Sequence, residues 1–517
     1  MVSFNDGTHR HQQEVLSALK DALDEKHVQA AEKSAERIEK ELPNQTDLTE
    51  NVAAVSFGAG KDSSWLLSYV RLVQLLIAEK HHGQTFRLRT FTGQQPGMDQ
   101  HVMDNADRIF DKLGMKDDPL VQSYLVQQHN VIPFDKDAKL PDDIREMARK
   151  DMLLSANRSG GEGRTSFCHA CNAYLVNWIA QGASYAGGAD LVFTGDSMDE
   201  MKQYWSWIQL VAKEAGISKG DLIKMKNELQ DKDPHQYLGK LLFMVDGIYR
   251  QHFGQLHGKD SAFVDAHSIP YALPKISKFT SVFKEVEYKA EDHLDFLNNF
   301  LKFDFNSYMS SFTETDCGNP MLMAHMSGLA TEHVQGRTYA EGVREHLQGI
   351  LPLMERKHMP GFLIEMMKER YDTPEKIEHM RKVAEDYALE NYRATDQQLV
   401  CAVWSPFANE GQYLEGYLRH EAPDLADGAH IGLIRDYISA AREPREHGAA
   451  LVHSLEEMSG LTLAEMRRTW HQKLQMHPLE RITPGSEAER EASAMLKGDN
   501  HQVVANEDGR QINRWYR

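Results

Sequence analysis

The fold is decided by one stretch of this 517-residue chain, Val52-Ala-Ala-Val-Ser-Phe-Gly-Ala-Gly-Lys-Asp-Ser-Ser-Trp65. An apolar run ends in a loop of small residues, and an apolar segment of helical character, Trp65 to Ile77, follows at once. A strand, a glycine loop and a helix in this order direct backbone N–H groups and a helix N-terminus towards an anion. The stretch therefore predicts a phosphate site beside an α/β sheet.

Each residue type in this loop suits a phosphate ligand. Gly58–Gly60 carries little side-chain bulk, so an anion could approach the backbone closely. Lys61 adds a positive charge, and the hydroxyls of Ser63 and Ser64 can cap the helix or donate to an oxygen. An ordinary strand-to-helix turn with chance glycines is the alternative interpretation.

The loop is not of the Walker type, which needs Lys followed directly by Ser or Thr, because Asp62 follows Lys61. The order Ser-Phe-x-x-Gly-Lys-Asp-Ser instead resembles the Ser-Gly-Gly-x-Asp-Ser loop of the PP-loop ATP pyrophosphatases. Gly58 stands where that family has Ser, and Ala59 stands where it has Gly. Family members split ATP between the α- and β-phosphates and use the AMP half to activate a substrate oxygen. The resemblance implies ATP contacts from Ser56, Phe57, Gly58, Gly60, Lys61, Ser63 and Ser64, with Lys61 and Asp62 catalytic.

A second segment, Leu191-Val-Phe-Thr-Gly-Asp-Ser-Met-Asp-Glu200, resembles the strand end Thr-Gly-His-x-x-Asp-Asp of the same family. Asp196 stands where that family has His. The resemblance implies that Thr194 and Gly195 lie near the adenylate. A capped helix start is the plain alternative for Thr-Gly-Asp-Ser.

Two further ligand groups follow from the resemblance. Asp62 and Asp199 are the implied Mg²⁺ ligands, because this cation prefers oxygen ligands and one or two carboxylates. The strand that ends Arg89-Thr-Phe-Thr92 is implied to place Phe91 and Thr92 beside the adenine.

Cys168-His-Ala-Cys171 is the next chemical feature. The i, i+3 spacing places both sulfurs on one side of a predicted helix, close enough to share a metal ion or a cluster. We expect the pair at the start of that helix, where the helix N-terminus favours the thiolate. Taken alone, the pair fits half a zinc site, a redox pair, two cluster ligands or chance.

The order of the loop, the cysteine pair, a helix and the Thr-Gly segment resembles that of the tRNA 2-thiocytidine synthetases and related tRNA thiolases. In those enzymes three cysteines hold a 4Fe–4S cluster with one open iron, so the resemblance implies Cys317 as the third ligand beside Cys168 and Cys171. Cys401 lies in an apolar run and is predicted to belong to the core. The resemblance covers about residues 50–320.

Alternating strand and helix patterns between Asn51 and Phe193 predict an α/β fold with a doubly wound, mostly parallel sheet, similar to that of the adenine nucleotide alpha-hydrolases. One strand is predicted over Tyr124–Ile132. A glycine-rich polar loop, either a flexible cover or a surface connection, is predicted between Leu154 and Cys168. The predicted organisation is N-terminal amphipathic helices over 1–50, the PP-loop domain over 51–320 with an insertion near 213–263, a helical domain over 321–483 and a polar tail over 484–517.

The charge and amino-acid composition of the chain indicate which classes of partner are favoured. The chain has 58 Lys and Arg against 77 Asp and Glu, a net charge of −19, which disfavours a polyphosphate partner such as tRNA. A small-molecule or carrier-bound substrate is favoured, with a sulfur-donor protein as a further partner, and the helical domain could mediate homodimerisation. No apolar run approaches the ~20 residues that span a bilayer, and only 4 cysteines argue against a disulfide framework. A cytoplasmic protein without a membrane segment is therefore expected.

The nucleophile that displaces AMP decides the reaction. One hypothesis is sulfur transfer through a cluster on the cysteines. A second is ligation or amidation by an amine, with the cysteines structural or bound to zinc. A third is a nucleotide-binding regulator without catalysis. The number and order of the cysteines favour sulfur transfer.

Overall fold

The computed structural model describes residues 6–98, 100–194, 198–229, 237–259, 261–282, 285–286, 293–305, 320–356, 359–475, 477–481, 501–505 and 511–515. The chain forms two compact units. Unit one comprises Met1–Pro141, Ala173–Phe253 and Ala262–Ser307, and unit two comprises Asp142–Asn172, Gly254–Ser261 and Tyr308–Arg517. Residues 142–172, which the sequence-based organisation includes in the PP-loop domain, thus belong to unit two.

Helices provide most of the regular structure. The first part of the chain contains α1 Asp6–Ala22, α2 Glu25–Glu41, α3 Lys61–Lys80, α4 Gln100–Lys112, α5 Asp142–Ser159, α6 Gly163–Ser184, α7 Met198–Glu214, α8 Lys219–Leu229, α9 Tyr237–His257 and α10 Ala262–Ala266. The second part contains α11 Pro320–Leu329, α12 Tyr339–Arg356, α13 Gly361–Glu369, α14 Pro374–Tyr392, α15 Asp396–Trp404, α16 Leu414–Glu421, α17 Gly428–Ile438, α18 Glu446–Ser459 and α19 Leu463–Trp470. The helical character expected after residue 320 is confirmed.

Unit one is built on a six-stranded sheet in the order β4-β3-β2-β1-β5-β6. Its strands are β1 Val52–Ser56, β2 Arg87–Gly93, β3 Val121–Gln127, β4 Asn130–Pro133, β5 Leu191–Thr194 and β6 Lys278–Ser281. Neighbouring strands are parallel except β3 and β4, which are antiparallel. The α/β prediction with a mostly parallel sheet is therefore confirmed.

Strand β1 lies between β2 and β5. The sheet therefore grows from β1 towards one edge through β2, β3 and β4, and towards the other edge through β5 and β6. The strand is buried along Val52–Val55, as expected for a strand covered on both faces. Val55 belongs to one apolar cluster with Leu19 of α1, Ile38 of α2 and Leu67 of α3. The N-terminal helices thus help to bury the helix that follows the glycine loop.

The single strand predicted over Tyr124–Ile132 is wrong, because the chain reverses within it. Strand β3 ends at Gln127, Gln128 adopts a positive φ of 58°, and β4 returns antiparallel from Asn130. The Gln128 side chain donates to the carbonyl of Ala266 at 2.7 Å, and its own carbonyl accepts from the Asn177 amide at 2.6 Å. Hydrogen bonds to distant residues hold a turn that carries no glycine, so local sequence gives no signal for it.

The glycine-rich loop predicted between Leu154 and Cys168 is also wrong. Helix α5 continues to Ser159, Gly160 and Gly161 make a turn with φ of 64° and 66°, and α6 begins at Gly163. A Cβ atom at Gly161 would lie 2.4 Å from Val403, so the glycine permits a close approach to α15. This segment is a buried helical connection within unit two.

The tail predicted over 484–517 contains a pair of strands. Strands β7 His501–Ala505 and β8 Gln511–Trp515 pair antiparallel, whereas residues 482–500 lie outside the described part of the chain. The sequence did not indicate these strands, because polar residues dominate the tail and Val503–Val504 is the only pair of adjacent branched aliphatic residues in the two strands.

Two glycines of α12 are expected to respond oppositely to alanine. A Cβ atom at Gly342 would lie 2.4 Å from the carbonyl oxygen of Ser327, whereas one at Gly349 meets no atom within 4 Å. Gly342→Ala should therefore destabilise unit two by about 3 kcal/mol through overpacking. Gly349→Ala should stabilise it by about 1 kcal/mol through helix propensity. The midpoints of urea unfolding followed by circular dichroism measure both effects, and equal midpoints would contradict the packing of α12 on α11.

Candidate functional site

The glycine loop joins β1 to α3 at the carboxyl edge of the sheet. Phe57 extends the strand, and its N–H donates to the carbonyl oxygen of Phe91 in β2 at 2.9 Å. Gly60 is the N-cap residue, and α3 starts at Lys61. The predicted succession of strand, loop and helix is thus present, with the loop beside the end of β2.

Ala59 occupies a left-handed backbone conformation, with φ of 53°. An L-residue with a side chain pays about 1–2 kcal/mol for this conformation, which glycine adopts without strain. The loop therefore keeps a buried methyl group at a position of positive φ, at that cost in conformational energy.

The two glycines of the loop differ from Ala59 in backbone conformation. Gly58 and Gly60 are exposed, and neither has a positive φ. A Cβ atom at Gly60 would meet nothing within 4 Å, and one at Gly58 would meet only the Ser63 hydroxyl, at 3.8 Å. The folded chain therefore has room for a side chain at both positions. Within the described part of the chain, this room lies beside the N-terminus of α3, a helix of 20 residues.

The charged residues of the loop contact each other. The Lys61 ammonium donates to both carboxylate oxygens of Asp62, at 2.7 and 2.8 Å. Their side chains are 12% and 26% exposed, so water screens the pair only in part. The hydroxyls of Ser63 and Ser64, predicted to cap the helix or to bind an oxygen, both donate to the carbonyl of Gly60, at 3.1 and 2.6 Å.

Strand β2 brings two buried hydroxyl groups to this part of the sheet. The Oγ1 atoms of Thr90 and Thr92 are buried and make no hydrogen bond to the described part of the chain. Leaving such a group unsatisfied costs about 1–3 kcal/mol, so its retention calls for an explanation. Thr92 was predicted as a nucleotide contact, whereas Thr90 was missed because an alternating strand pattern does not distinguish a satisfied hydroxyl from an unsatisfied one.

The end of β2 is also covered by an aromatic ring that sequence reasoning missed. A Cβ atom at Gly93 would lie 1.5 Å from the Trp178 ring, so only glycine permits this contact. Phe91, the other predicted adenine contact, is fully buried and stacks on Tyr124 with ring centroids 5.5 Å apart. Gly93, at the end of the strand, is the sequence signal for the contact with Trp178.

The predicted residues after β5 are described only in part. Thr194 is the last residue of β5, the strand next to β1, and Asp199 lies in the first turn of α7. Gly195 and Asp196 lie outside the described residues. Backbone topology thus brings Ser56, Thr92 and Thr194 to the same edge of the sheet, because the carboxyl ends of parallel strands meet there.

The cysteine pair is placed differently from the prediction. Helix α6 begins at Gly163, so Cys168 and Cys171 lie in its second and third turns, beyond the first turn in which the helix dipole acts. Their i, i+3 spacing on one helix face is confirmed, and both belong to unit two with exposures of 4% and 5%. Cys317 lies outside the described residues. Of the three implied sulfur ligands, the structure therefore describes Cys168 and Cys171.

Tyr392, at the end of α14, is a neighbour of this pair that the sequence did not indicate. Its ring packs edge-on against Phe167, with centroids 5.3 Å apart. Burial, with the nearby Tyr387, Cys171 and Cys168, raises the pKa of Tyr392 well above its ordinary value, so the phenol stays protonated. The described cysteine pair is thus buried beside aromatic side chains, and two thiols in a dry environment suit a soft metal or an iron–sulfur cluster.

Cys401 is different in kind. It is fully buried in α15, and burial raises the pKa of its thiol to about 12. The prediction that it belongs to the core is confirmed. In the described residues, no group of at least 3 His, Cys, Asp or Glu side chains has the arrangement of a metal site.

Helices long and apolar enough to cross a membrane are absent from the described ranges of the chain. A scan against models of protein families finds no match, and a search of curated proteins finds no significant similarity.

Proposed function

We propose that this chain is an ATP-dependent enzyme of the PP-loop type, which adenylates a substrate oxygen and releases pyrophosphate. The observation that carries the proposal is the room for a side chain that the described residues leave at Gly58 and Gly60. Neither glycine has a positive φ, and among the described residues neither is required by packing, so both leave room beside a helix N-terminus. Such an opening suits a phosphate that approaches backbone N–H groups.

The position of the loop in the sheet supports the same proposal. In open α/β sheets ligands bind beyond the carboxyl ends of the strands, where the strand order reverses. Here the order reverses at β1, from which β2 and β5 lie on opposite sides. We infer a doubly wound sheet similar to that of the adenine nucleotide alpha-hydrolases, with the triphosphate over the loop and the adenine beside Phe91 and Thr92.

The residues of the loop can supply the chemistry of this reaction. A substrate oxygen attacks the α-phosphate, and negative charge develops on the departing pyrophosphate. Backbone N–H groups of the loop and the Lys61 ammonium would stabilise that charge. Asp62 and Asp199 would hold Mg²⁺, which neutralises phosphate charge when it is bound.

We further propose that sulfur displaces AMP, through Cys168 and Cys171. Support comes from two buried sulfurs on one face of α6, a donor set suited to an iron–sulfur cluster with Cys317 as the third ligand. When bound, a cluster with one open iron would supply sulfide to the substrate carbon that carries the adenylated oxygen. The acidic net charge of −19 supports a small-molecule or carrier-bound acceptor over tRNA. A sulfur-donor protein, a homodimer and a cytoplasmic location remain part of this proposal.

The basic residues near the end of the helical region support the same preference for a non-RNA acceptor. Arg467 pairs with Glu443 at 2.9 Å and donates to the carbonyl of Tyr437, and Arg468 donates to the carbonyl of Leu256. These guanidinium groups serve contacts within unit two. The other Lys and Arg residues of the stretch 442–481 are Arg442, Arg445, Lys473 and Arg481.

Gly60→Ala tests whether a phosphate approaches this loop. The added methyl group meets no protein atom within 4 Å, so the fold should lose no more than about 1 kcal/mol, the cost of a poorer N-cap. The affinity for a non-hydrolysable ATP analogue should fall at least about tenfold, about 1.4 kcal/mol. Calorimetric titration measures the affinity, and thermal melting measures the stability.

Gly428→Ala is the matched control. Gly428 is exposed at the start of α17, and a Cβ atom there also meets nothing within 4 Å. It should bind the analogue as the wild type does. Equal affinities of the wild type and Gly60→Ala would show that the phosphate does not approach this loop.

A further inference from the structure

The ion pair at the start of α3 neutralises the charge that the loop would offer to a phosphate. The Lys61 ammonium contacts both oxygens of Asp62, and the two residues occupy the first two positions of the helix. In this arrangement the lysine is turned to its neighbour, and the pair carries no net charge. Backbone N–H groups and the helix dipole remain as the attraction for an anion.

The two partners are not equally held at this position. A carboxylate near a helix N-terminus is favoured by the helix dipole, whereas an ammonium there is disfavoured. Asp62 is therefore in a favourable position by itself, while Lys61 depends on Asp62 for its stabilisation. The lysine also has a flexible four-carbon side chain and, beside it, the open space at Gly58 and Gly60. When the pair separates, the lysine is the partner that moves.

We propose that the Lys61–Asp62 pair is a latch, which a divalent cation opens by taking the Asp62 carboxylate and releasing the ammonium to the phosphates. This inference rests on the proposed function and deepens it. The cation replaces the ammonium on the carboxylate, and the ammonium exchanges one anionic partner for another. The loop therefore recognises a nucleotide together with its cation, and free nucleotide meets a closed pair.

The latch predicts a coupling between cation and nucleotide that depends on Asp62. In the wild type, Mg²⁺ should strengthen binding of the non-hydrolysable ATP analogue by a factor of about 5–150, the usual range for coupled sites. In Asp62→Asn the ammonium is already released, so affinity without Mg²⁺ should rise and the ratio should approach one. Calorimetric titrations with Mg²⁺ and with a chelator, on the full chain, give both affinities.

The controls separate the latch from the proposed function. Asp221→Asn changes an acid in the first turn of α8 and should keep the wild-type ratio. Asp62→Ser provides a second uncharged variant should Asp62→Asn fail to fold. A wild-type ratio in the Asp62 variants, with nucleotide binding intact, overturns the latch alone. A wild-type protein that binds no nucleotide with or without Mg²⁺ overturns the proposed function as well.

Discussion

Lys61→Ala is expected to lower pyrophosphate release about a thousandfold. The ammonium lies at the start of α3, beside the open space of the loop, where charge on the departing pyrophosphate would develop. Removing one preorganised donor to such a charge costs about 10²–10³ in rate. Asp62→Ala should have a similar effect, because it removes a proposed cation ligand. An enzyme-coupled assay for pyrophosphate measures both.

Lys219→Ala is the control for this prediction. Lys219 begins α8 as Lys61 begins α3, but it is exposed and belongs to a helix outside the loop. Its removal should leave the rate unchanged. Pyrophosphate release that survives both Lys61→Ala and Asp62→Ala would contradict the PP-loop assignment as a whole, not only the sulfur step.

Cys171→Ala is expected to remove iron and acid-labile sulfide from protein purified without oxygen, while nucleotide binding stays intact. The wild type should contain both in near-stoichiometric amounts, because Cys168 and Cys171 present two buried sulfurs on one helix face. Cys168→Ala and Cys317→Ala should show the same loss. Metal and sulfide analysis, with calorimetric titration of the ATP analogue, measures the two properties separately.

Cys401→Ala is the matched control, since this thiol is also buried but lies in the apolar interior of α15. It should retain the iron and sulfide of the wild type. Zinc, or no metal, in the wild-type protein would contradict the cluster. The chain would then be better explained as an adenylating ligase, in which an amine attacks the adenylate and the cysteines are structural.

Local patterns in the sequence were sufficient for the strand, loop and helix around Gly60. An apolar run, small residues and a helical segment follow each other there, and each signal is read within a few residues. The helix over Pro374–Tyr392 is marked by local signals in the same way, since Thr373 caps it and Pro374 is its first residue.

Tertiary contacts explain the features that were missed. The turn at Gln128 is held by Ala266 and Asn177, and the turn at Gly161 by the close approach of Val403. The contacts at Gln128 leave no trace in the local sequence. At Gly161 the glycine itself is visible, but the glycine-rich polar composition indicated a surface loop where the chain is buried. Tyr392 reaches the cysteine pair from a distant helix, which no spacing rule near Cys168 can reveal.

The most direct measurement of the central claim is the identity of the products formed from ATP. Wild-type protein is incubated with Mg²⁺ and ATP labelled separately in the α- and γ-phosphates, in the presence of a small-molecule extract as the source of acceptor. The account predicts label from the α-phosphate in AMP and label from the γ-phosphate in pyrophosphate, both formed more slowly by Gly60→Ala when ATP is below saturation. Label in ADP and orthophosphate would contradict cleavage between the α- and β-phosphates.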